Sequence, residues 1–381
     1  MHTAWTRMRG RLRRGRWSRT VPAKFWHIFW FPFFFAVAFG IMFSVNVGHA
    51  SPHAVELGIV AGPSVAQQVR ADIERVQPTG IRYRSVPDRA AAERLIERNE
   101  IAAVLLVADA DGSPGETTML ASIAASGSRA IYLRDLFESA LSGPVRFDDL
   151  VPASPGDMNG IGLFFISLPL QVLGLISTAI LQASGVRSWR WRLAWIAVYG
   201  SFAALFSYGM GRALELIPSD PWLPVLGFVL TQTISWIAIS GAVFLRHFFM
   251  PVMMPFIVIF EVPISGGPMA ADMMPAFSRL LHAVLPFSQY LDAARLSAYF
   301  GGAGIGRPLT VLFAWTGIAV ALVLAAMWKT RRDHHHERET GDAPAEAPGG
   351  ESHGSAGEGS GMPGGEIVVR GATGGIADAT S

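Results

Sequence analysis

The stretch GIGLFFISLPLQVLGLISTAIL, residues 160–181, holds 22 positions without one charged side chain. A helix rises about 1.5 Å per residue, so about 20 apolar residues cross the roughly 30 Å hydrocarbon core of a bilayer. This stretch therefore predicts a membrane-spanning helix.

Five other apolar runs have the same character. They cover residues 25–47, 193–210, 222–245, 248–264 and 309–327. Charged residues make up only 16% of the chain, against about 25% in typical soluble proteins. The sequence therefore predicts an α-helical multi-pass membrane protein with about six spans. One span stands alone at 25–47, and five form a block within 158–330.

Basic residues predict how these spans are oriented. Residues 1–24 carry seven Arg, one Lys and no acidic residue, and Arg-bearing segments also lie at 183–192, 246–247 and 328–332. Short basic segments favour the cytoplasmic side of a membrane. We therefore expect a multi-pass protein of the plasma membrane with both termini in the cytoplasm and residues 48–157 outside.

The first apolar run has a second interpretation, a cleavable signal peptide. Gly48, His49 and Ala50 offer small residues at a cleavage position. However, the apolar region of a signal peptide has about 7–15 residues, and this run has 23. An uncleaved anchor is therefore favoured.

Residues 48–157 have the pattern of a folded α/β domain. Three apolar runs, at 55–60, 81–86 and 101–107, predict strands, and apolar residues at helical spacing over 65–76 predict a helix between the first two. Further elements are expected as follows: a helix capped by Asp88, a strand near 117–123 and a helix over 128–142. This alternation predicts a small extracytoplasmic α/β domain with parallel strands between the first and second spans.

Composition excludes several classes of function. Residues 48–157 carry 10 basic and 15 acidic residues, so the domain lacks the basic surface of a nucleic-acid-binding protein. The chain has no cysteine, no phosphate-binding Gly-x4-Gly-Lys-Ser/Thr motif and no recognisable catalytic arrangement. We therefore predict no enzyme activity, no cofactor and no metal site, and expect the lipid bilayer as the main partner.

Residues 331–381 are predicted to be a disordered cytoplasmic tail. From position 337 the chain has eight acidic residues, two Arg and twelve Gly in 45 positions. Such a segment cannot bury enough apolar surface to offset the entropy lost on ordering.

Few polar residues interrupt the predicted spans. Glu261 falls at the outer end of the fifth run, where we expect it to be solvated. The milder polar residues are Asn46, Gln171, Ser177, Thr178, Thr231, Gln232, Thr233 and Ser235. They predict either hydrogen bonds between helices, which is the favoured interpretation, or a substrate path. Ala203, Ser207 and Gly211 recur every four residues and predict close helix packing at a dimer seam.

The segment 262–302 breaks the spanning pattern. Proline, serine and glycine interrupt the fifth run after residue 262, and apolar and polar residues then recur at helical spacing over 272–300. This pattern predicts short helices that lie in the outer interface or re-enter the bundle. The glycines at 301–306 predict a flexible connector to the last span.

Residues of this segment resemble the end of type 2 ATP-binding-cassette (ABC) exporter permeases, closest to the phage-infection-protein (Pip, YhgE-like) subgroup. They are Pro263, Ser265, Gly266, Gly267, Pro286, Arg295, Gly301 and Gly302. The layout of one span, an external domain and five further spans is also similar to that subgroup. Val262 stands where the subgroup usually has Asn. These motif residues and Glu261 are the candidate functional residues.

The resemblance implies a permease-like subunit that pairs with a second copy and with a separate nucleotide-binding ATPase to move a substrate outward. The elements that contact the ATPase would be the basic segment before Trp26 and the loop at 183–192. The alternative is a non-transporting membrane receptor or scaffold whose external domain binds a partner.

Overall fold

A computed structural model describes residues 33–48, 51–107, 116–186, 188–246, 249, 253 and 256–341. The chain divides into two compact units, Met1–Arg332 and Asp333–Ser381. Helix α1 (Phe33–Gly48) is apolar, covers the described part of the first predicted span and ends in a π-helical turn, Ser44–Gly48.

A five-stranded mixed sheet with three helices follows α1. In chain order the elements are β1 (Val55–Val60), α2 (Pro63–Val76), β2 (Ile81–Ser85), α3 (Arg89–Glu97), β3 (Ala103–Leu106), β4 (Thr118–Ala121), α4 (Ile123–Leu141) and β5 (Arg146–Asp149). The strand order is β2-β1-β3-β4-β5. Most of these elements lie where the sequence predicts them, and the Asp88 carboxylate caps α3 by accepting the Ala91 N–H at 2.7 Å.

The expectation of parallel strands is wrong at one pairing. Strand β1 pairs parallel with β2 and β3, and β4 pairs parallel with β5, but β3 and β4 are antiparallel. A parallel crossover needs about a dozen or more residues, usually with a helix, and only residues 107–117 connect β3 to β4. Strand β5 was not predicted because its sequence, RFDD, has a single apolar residue.

Four helices in the described part of the chain are long and apolar enough to cross a membrane. They are α5 (Gly162–Ala183), α6 (Trp189–Ala213), α7 (Trp222–Leu245) and Gly306–Asp333, the apolar part of a last helix. They coincide with the second, third, fourth and sixth predicted spans and mark the chain as a helical membrane protein. Helices α5, α6 and α7 pack against one another around a core that includes Leu170 and Leu230.

Part of the fifth predicted span, namely residues 248, 250–252, 254 and 255, lies outside the described residues. Its described end is a π-helical segment, Phe256–Glu261, followed by α8 (Val262–Ile264). The chain then forms a 3₁₀ turn, Ala271–Met273, and helices α9 (Ala276–His282) and α10 (Pro286–Phe300). Six spans and their orientation therefore stay predictions.

Helices α9 and α10 differ in what they bury. Helix α9 exposes Phe277 and Leu280, as does the chain after it at Val284, whereas it buries Ser278 and His282. An apolar face turned outward is stable against hydrocarbon rather than water. Helix α10 packs against α5 and α7 and is buried along most of its length, so it belongs to the bundle.

The last helix, α11, extends over Gly306–Gly341. Its backbone is thus helical beyond residue 331, the predicted start of the tail. Residues 342–381, the remainder of the predicted disordered segment, lie outside the described residues.

The segment after α8 completes the core of the α/β domain. Met269, Ala270, Met273 and Met274 are buried in the same apolar cluster as Leu57, Ile73 and Phe137 of the sheet and its helices. The His53 N–H donates to the Asp272 carbonyl at 2.7 Å, and the Ser51 N–H donates to the Met273 carbonyl at 3.3 Å. The domain therefore depends on residues more than a hundred positions further along the chain.

Met273 is fully buried in this shared core. We expect Met273→Ala to destabilise the protein by about 2–5 kcal/mol, because deletion of a buried side chain leaves a cavity. Phe277→Ala is the matched control, since this ring is 60% exposed, and should change stability by about 0.5 kcal/mol or less. Thermal unfolding of the detergent-solubilised protein measures both, and equal effects would contradict the shared core.

Candidate functional site

The break after the fifth predicted span is a tight, hydrogen-bonded turn. The Ser265 hydroxyl donates to the Val262 carbonyl at 2.8 Å and accepts from the Gly267 N–H at 3.3 Å. Pro263 lies in the first turn of α8, where its missing N–H is not needed. The break is therefore a defined structure, and Pro263 and Ser265 are both buried in it.

Both glycines of the break are required by close approaches. Gly266 has φ +82°, and a Cβ there would lie 2.7 Å from the His282 ring. A Cβ on Gly267 would lie 2.3 Å from the Phe164 ring of α5. The predicted motif positions Gly266 and Gly267 thus let the turn pack directly against α5 and α9.

Three charged side chains meet under this turn. His282 Nε2 lies 2.8 Å from an Asp292 carboxylate oxygen, and the other carboxylate oxygen lies 3.6 Å from the Arg295 guanidinium. The side chains of His282 and Arg295 are each 8% exposed. This group, the charged cluster, joins α9 to α10.

The charged cluster also satisfies the backbone of the break. Arg295 donates to the Gly266 carbonyl at 2.9 Å, and His282 Nδ1 lies 2.8 Å from the Ile264 carbonyl. Ser288 also donates to the Ile264 carbonyl, at 3.3 Å. Because a helix end leaves carbonyls without partners, the cluster supplies the donors that the broken span lacks.

Opposing effects set the pKa values of the charged cluster. Burial lowers the pKa of the His282 imidazole. The Asp292 carboxylate and the Ile264 carbonyl raise it by more, so the net pKa lies above its ordinary value. Burial raises the pKa of Asp292, but the neighbouring His282 and Arg295 charges hold it below its ordinary value. Burial holds the pKa of Arg295 below its ordinary value, although Asp292 opposes this. The raised pKa of His282 and the lowered pKa of Asp292 both favour the charged forms of these side chains, and therefore their ion pair.

A second ion pair faces the charged cluster from the α/β domain. Arg129 of α4 lies 2.8 Å from the Asp272 carboxylate, and the Ser128 hydroxyl donates to the Pro268 carbonyl at 3.0 Å. Between the two pairs is a cavity of about 250 Å³, lined by residues that include Asn99, Arg129, Asp272, His282, Asp292 and Arg295. Charged side chains from both parts of the chain therefore line one polar space.

Glu261 departs from its expected environment. The sequence predicts a solvated carboxylate, but Glu261 is fully buried, and neither carboxylate oxygen has a hydrogen-bond partner among the described residues. Glu261 is the last residue of the π-helical segment Phe256–Glu261, and π-helical turns often occur at functional sites.

Half of the eight milder polar residues of the spans bond to neighbouring helices. Thr178 donates to the Ser235 carbonyl at 3.3 Å, Ser235 donates to the Gly174 carbonyl at 3.1 Å, and Gln232 donates to the Ile196 carbonyl at 3.1 Å. These bonds agree with the favoured interpretation of interhelical contacts. Asn46, Ser177 and Thr231 instead donate to carbonyls of their own helices. Gln171 is buried without a partner for its amide among the described residues.

The small residues of α6 pack inside the chain. Ala203, Ser207 and Gly211 are buried, and the Ser207 hydroxyl donates to the Ile166 carbonyl of α5. A Cβ on Gly211 would meet side chains of Ile166 and Ile217 at about 3 Å. The predicted close packing is thus present, but α5 occupies this face and leaves it unavailable as a dimer seam.

The remaining motif residues begin and end α10. Pro286 is its first residue, and Gly301 and Gly302 adopt φ values of +58° and +80° where the helix ends. The Gly302 N–H donates to the Leu296 carbonyl at 2.8 Å. The expected flexible connector therefore begins as an ordered, hydrogen-bonded turn.

Sequence reasoning missed part of this site. Arg295 is one of the predicted candidate residues, but the contribution of Arg129 was not predicted. Arg129 and Asp272 are 143 positions apart, so no local pattern links them. Within the described residues, no group of three or more metal-ligating side chains is close enough to hold a metal ion.

The charged cluster predicts an optimum of stability in mildly acidic solution. The pKa of Asp292 is lowered in the folded state, so its ionised carboxylate stabilises the fold at pH values above its ordinary pKa of 3.8. This stabilisation is lost as the pH falls through the pKa of Asp292 in the folded protein. The pKa of His282 is raised in the folded state, so its imidazolium stabilises the fold fully at pH values below its ordinary pKa of 6.5. This stabilisation is lost as the pH rises through the pKa of His282 in the folded protein. The thermal unfolding temperature, measured as a function of pH, should therefore be highest between the folded-state pKa of Asp292 and that of His282.

His282→Gln tests whether His282 causes the alkaline limb, the fall of the unfolding temperature as pH rises above the maximum. The fall of the unfolding temperature as pH rises should become shallower in this variant, because the titrating imidazole is absent. His53→Gln, at a partly buried histidine outside the cluster, is the control and should keep the limb. An unchanged limb in His282→Gln would show that another group causes it.

Comparisons with known proteins give no identification. No protein-family model matches the chain, and searches of curated proteins and of solved structures gave no significant match. Any function assigned to this chain therefore rests on its own residues and their geometry.

Proposed function

We propose that this chain is the permease-like membrane subunit of a type 2 ABC exporter. It works with a separate ATPase to move a substrate outward across the plasma membrane. The observation that carries the proposal is Glu261, a carboxyl group fully buried in an apolar helical block, next to a broken span. Ionisable residues inside a membrane block are costly and usually functional, and broken helices commonly form transporter sites.

The contacts around the break support a helix α10 that moves during transport rather than one that only anchors the protein in the membrane. Ile264 and Gly266 bond to the charged cluster, while Pro268 and Asp272 bond to α4 of the α/β domain. A shift of α10 against the fifth span would therefore reach the α/β domain through a short series of polar contacts. A helix that only anchors the protein needs no such connections.

The energy source must be a second chain. The sequence has no phosphate-binding motif of an ATPase. The segments proposed to contact the ATPase are the basic residues 1–24 and the loop between α5 and α6. In the first turn of α6, Arg192 donates to the Val186 carbonyl of this loop at 2.6 Å and lies over the Trp189 ring.

A receptor or scaffold is the second candidate function. One observation favours it, an apolar surface on the α/β domain where Ile131 is 57% exposed and Met158 is 85% exposed. These residues line a cavity of about 170 Å³ together with Phe147 and Arg134. Exposed apolar patches often mark protein-binding sites.

Purification of the full chain with its native membrane partners separates the two functions. We expect an ATPase with Walker motifs to co-purify in detergent, and we expect its ATP hydrolysis to rise when the purified chain is added back in lipid. If no such ATPase associates and hydrolysis does not respond, the exporter proposal is wrong. Loss of a partner in Ile131→Glu and Met158→Glu variants would then support the receptor.

Glu261→Gln tests the residue on which the proposal rests. The amide is similar in size, and no described partner is lost, so stability should change by about 0.5 kcal/mol or less. We expect stimulated ATP hydrolysis to fall, because the ionisable group is gone. Glu215→Gln, at an exposed acid in the α6–α7 turn, is the control, and equal activity in both variants would remove Glu261 from the mechanism.

A further inference from the structure

A largely apolar groove lies between α7 and α11. Its volume is about 520 Å³, within the range of about 300–1,000 Å³ that is usual for small-molecule sites. Its lining includes Trp222, Val225, Leu226, Val229, Leu309 and Phe313. The groove follows the first two turns of α7, beside the start of α11.

Hydrogen bonds connect the helices at both ends of this groove. The Ser297 hydroxyl donates to an Asp220 carboxylate oxygen at 2.6 Å, just before α7 begins. One turn beyond Val229, the hydroxyls of Thr233 and Thr316 lie 2.9 Å apart and join α7 to α11. The groove is thus a bounded site with a polar end at Asp220.

Asp220 lies at the N-terminus of α7 and has no cationic side chain as a partner among the described residues. It is only 8% exposed, and its oxygens accept from the Trp222 N–H at 2.9 Å and from Ser297. Among the described residues no cationic side chain lies within ion-pair distance of it, and the nearby Arg212 donates to the Ile217 carbonyl instead. A buried carboxylate is normally paired, so this end of the groove is complementary to a cation.

The sides of the groove open toward the membrane. Trp222, Val225 and Phe313 are 61%, 46% and 55% exposed on two helices long enough to span a bilayer. In a bilayer these side chains face hydrocarbon, so a molecule that enters between them comes from the lipid phase. Its apolar part would lie along the groove and its headgroup would lie at Asp220.

We propose that this groove binds a single-chain amphiphile with a cationic headgroup, the alkyl chain between α7 and α11 and the ammonium group against Asp220. Such an amphiphile is also the substrate class that the exporter would move, and only this last statement rests on the proposed function. Binding requires neither an ATPase nor transport.

The test uses the full-length protein in nanodiscs of zwitterionic lipid, without ATPase. The probe is dodecylamine brominated on the carbon next to its amino-bearing carbon, and the signal is quenching of Trp222, taken as the difference between the unsubstituted protein and Trp222→Phe. Brominated dodecanol and dodecyl sulfate are the matched probes. We expect saturable quenching by the amine at concentrations where the alcohol and the sulfate quench weakly.

Substitutions locate the site. Asp220→Asn should weaken amine binding about tenfold, which corresponds to about 1.4 kcal/mol, and leave the alcohol unaffected. Val229→Phe should block every probe by filling the groove, whereas Val198→Phe, at a 61% exposed position on α6, should block none. If Asp220→Asn does not fold, the comparison of headgroups on the unsubstituted protein decides alone.

Equal quenching by the three probes would mean that the groove holds ordinary lipid and would overturn the proposal. A preference for the sulfate would overturn it as well. Failure here leaves association with an ATPase unaffected, and failure of that association leaves amphiphile binding unaffected, so the two proposals can fail separately.

Discussion

The structure depends on how the backbone is satisfied where the helical segment Phe256–Ile264 ends. Buried carbonyl groups at the end of a helix need donors, because they lack partners within the helix. Here the Ile264 and Gly266 carbonyls accept from His282 and Arg295. Asp292 in turn neutralises these donors. Removal of one member would leave another buried without its partner, so the break, α9 and α10 form one unit.

This unit determines where the α/β domain lies. The same segment that ends the fifth span supplies Met269, Met273 and Met274 to the core of the domain. The Arg129–Asp272 ion pair then joins α4 to it. The domain is therefore part of the membrane block in packing, although its sheet resembles that of an independent domain. A ligand or partner that displaces the domain must also strain the break and the buried charges beneath it.

The polar groups of the membrane block fall into two kinds. Thr178, Gln232 and Ser235 bond to facing helices, and such bonds each contribute modestly, about 0.6 kcal/mol on average. Glu261 and Gln171 have no described partners and give the bundle no comparable stabilisation. Hydrogen bonds between helices therefore explain the presence of Thr178, Gln232 and Ser235 but not that of Glu261.

The sequence by itself determined the helical membrane character, four of the spans now seen as helices, and most elements of the α/β domain. Length, hydropathy and local caps decide these features, and all of them are local. Only the tertiary structure decided the antiparallel pairing of β3 with β4, the burial of Glu261, the use of the α6 small residues inside the chain and the meeting of Arg129 with Asp272. The last three depend on residues far apart in sequence, whose contacts become favourable only when the whole chain packs and excludes water.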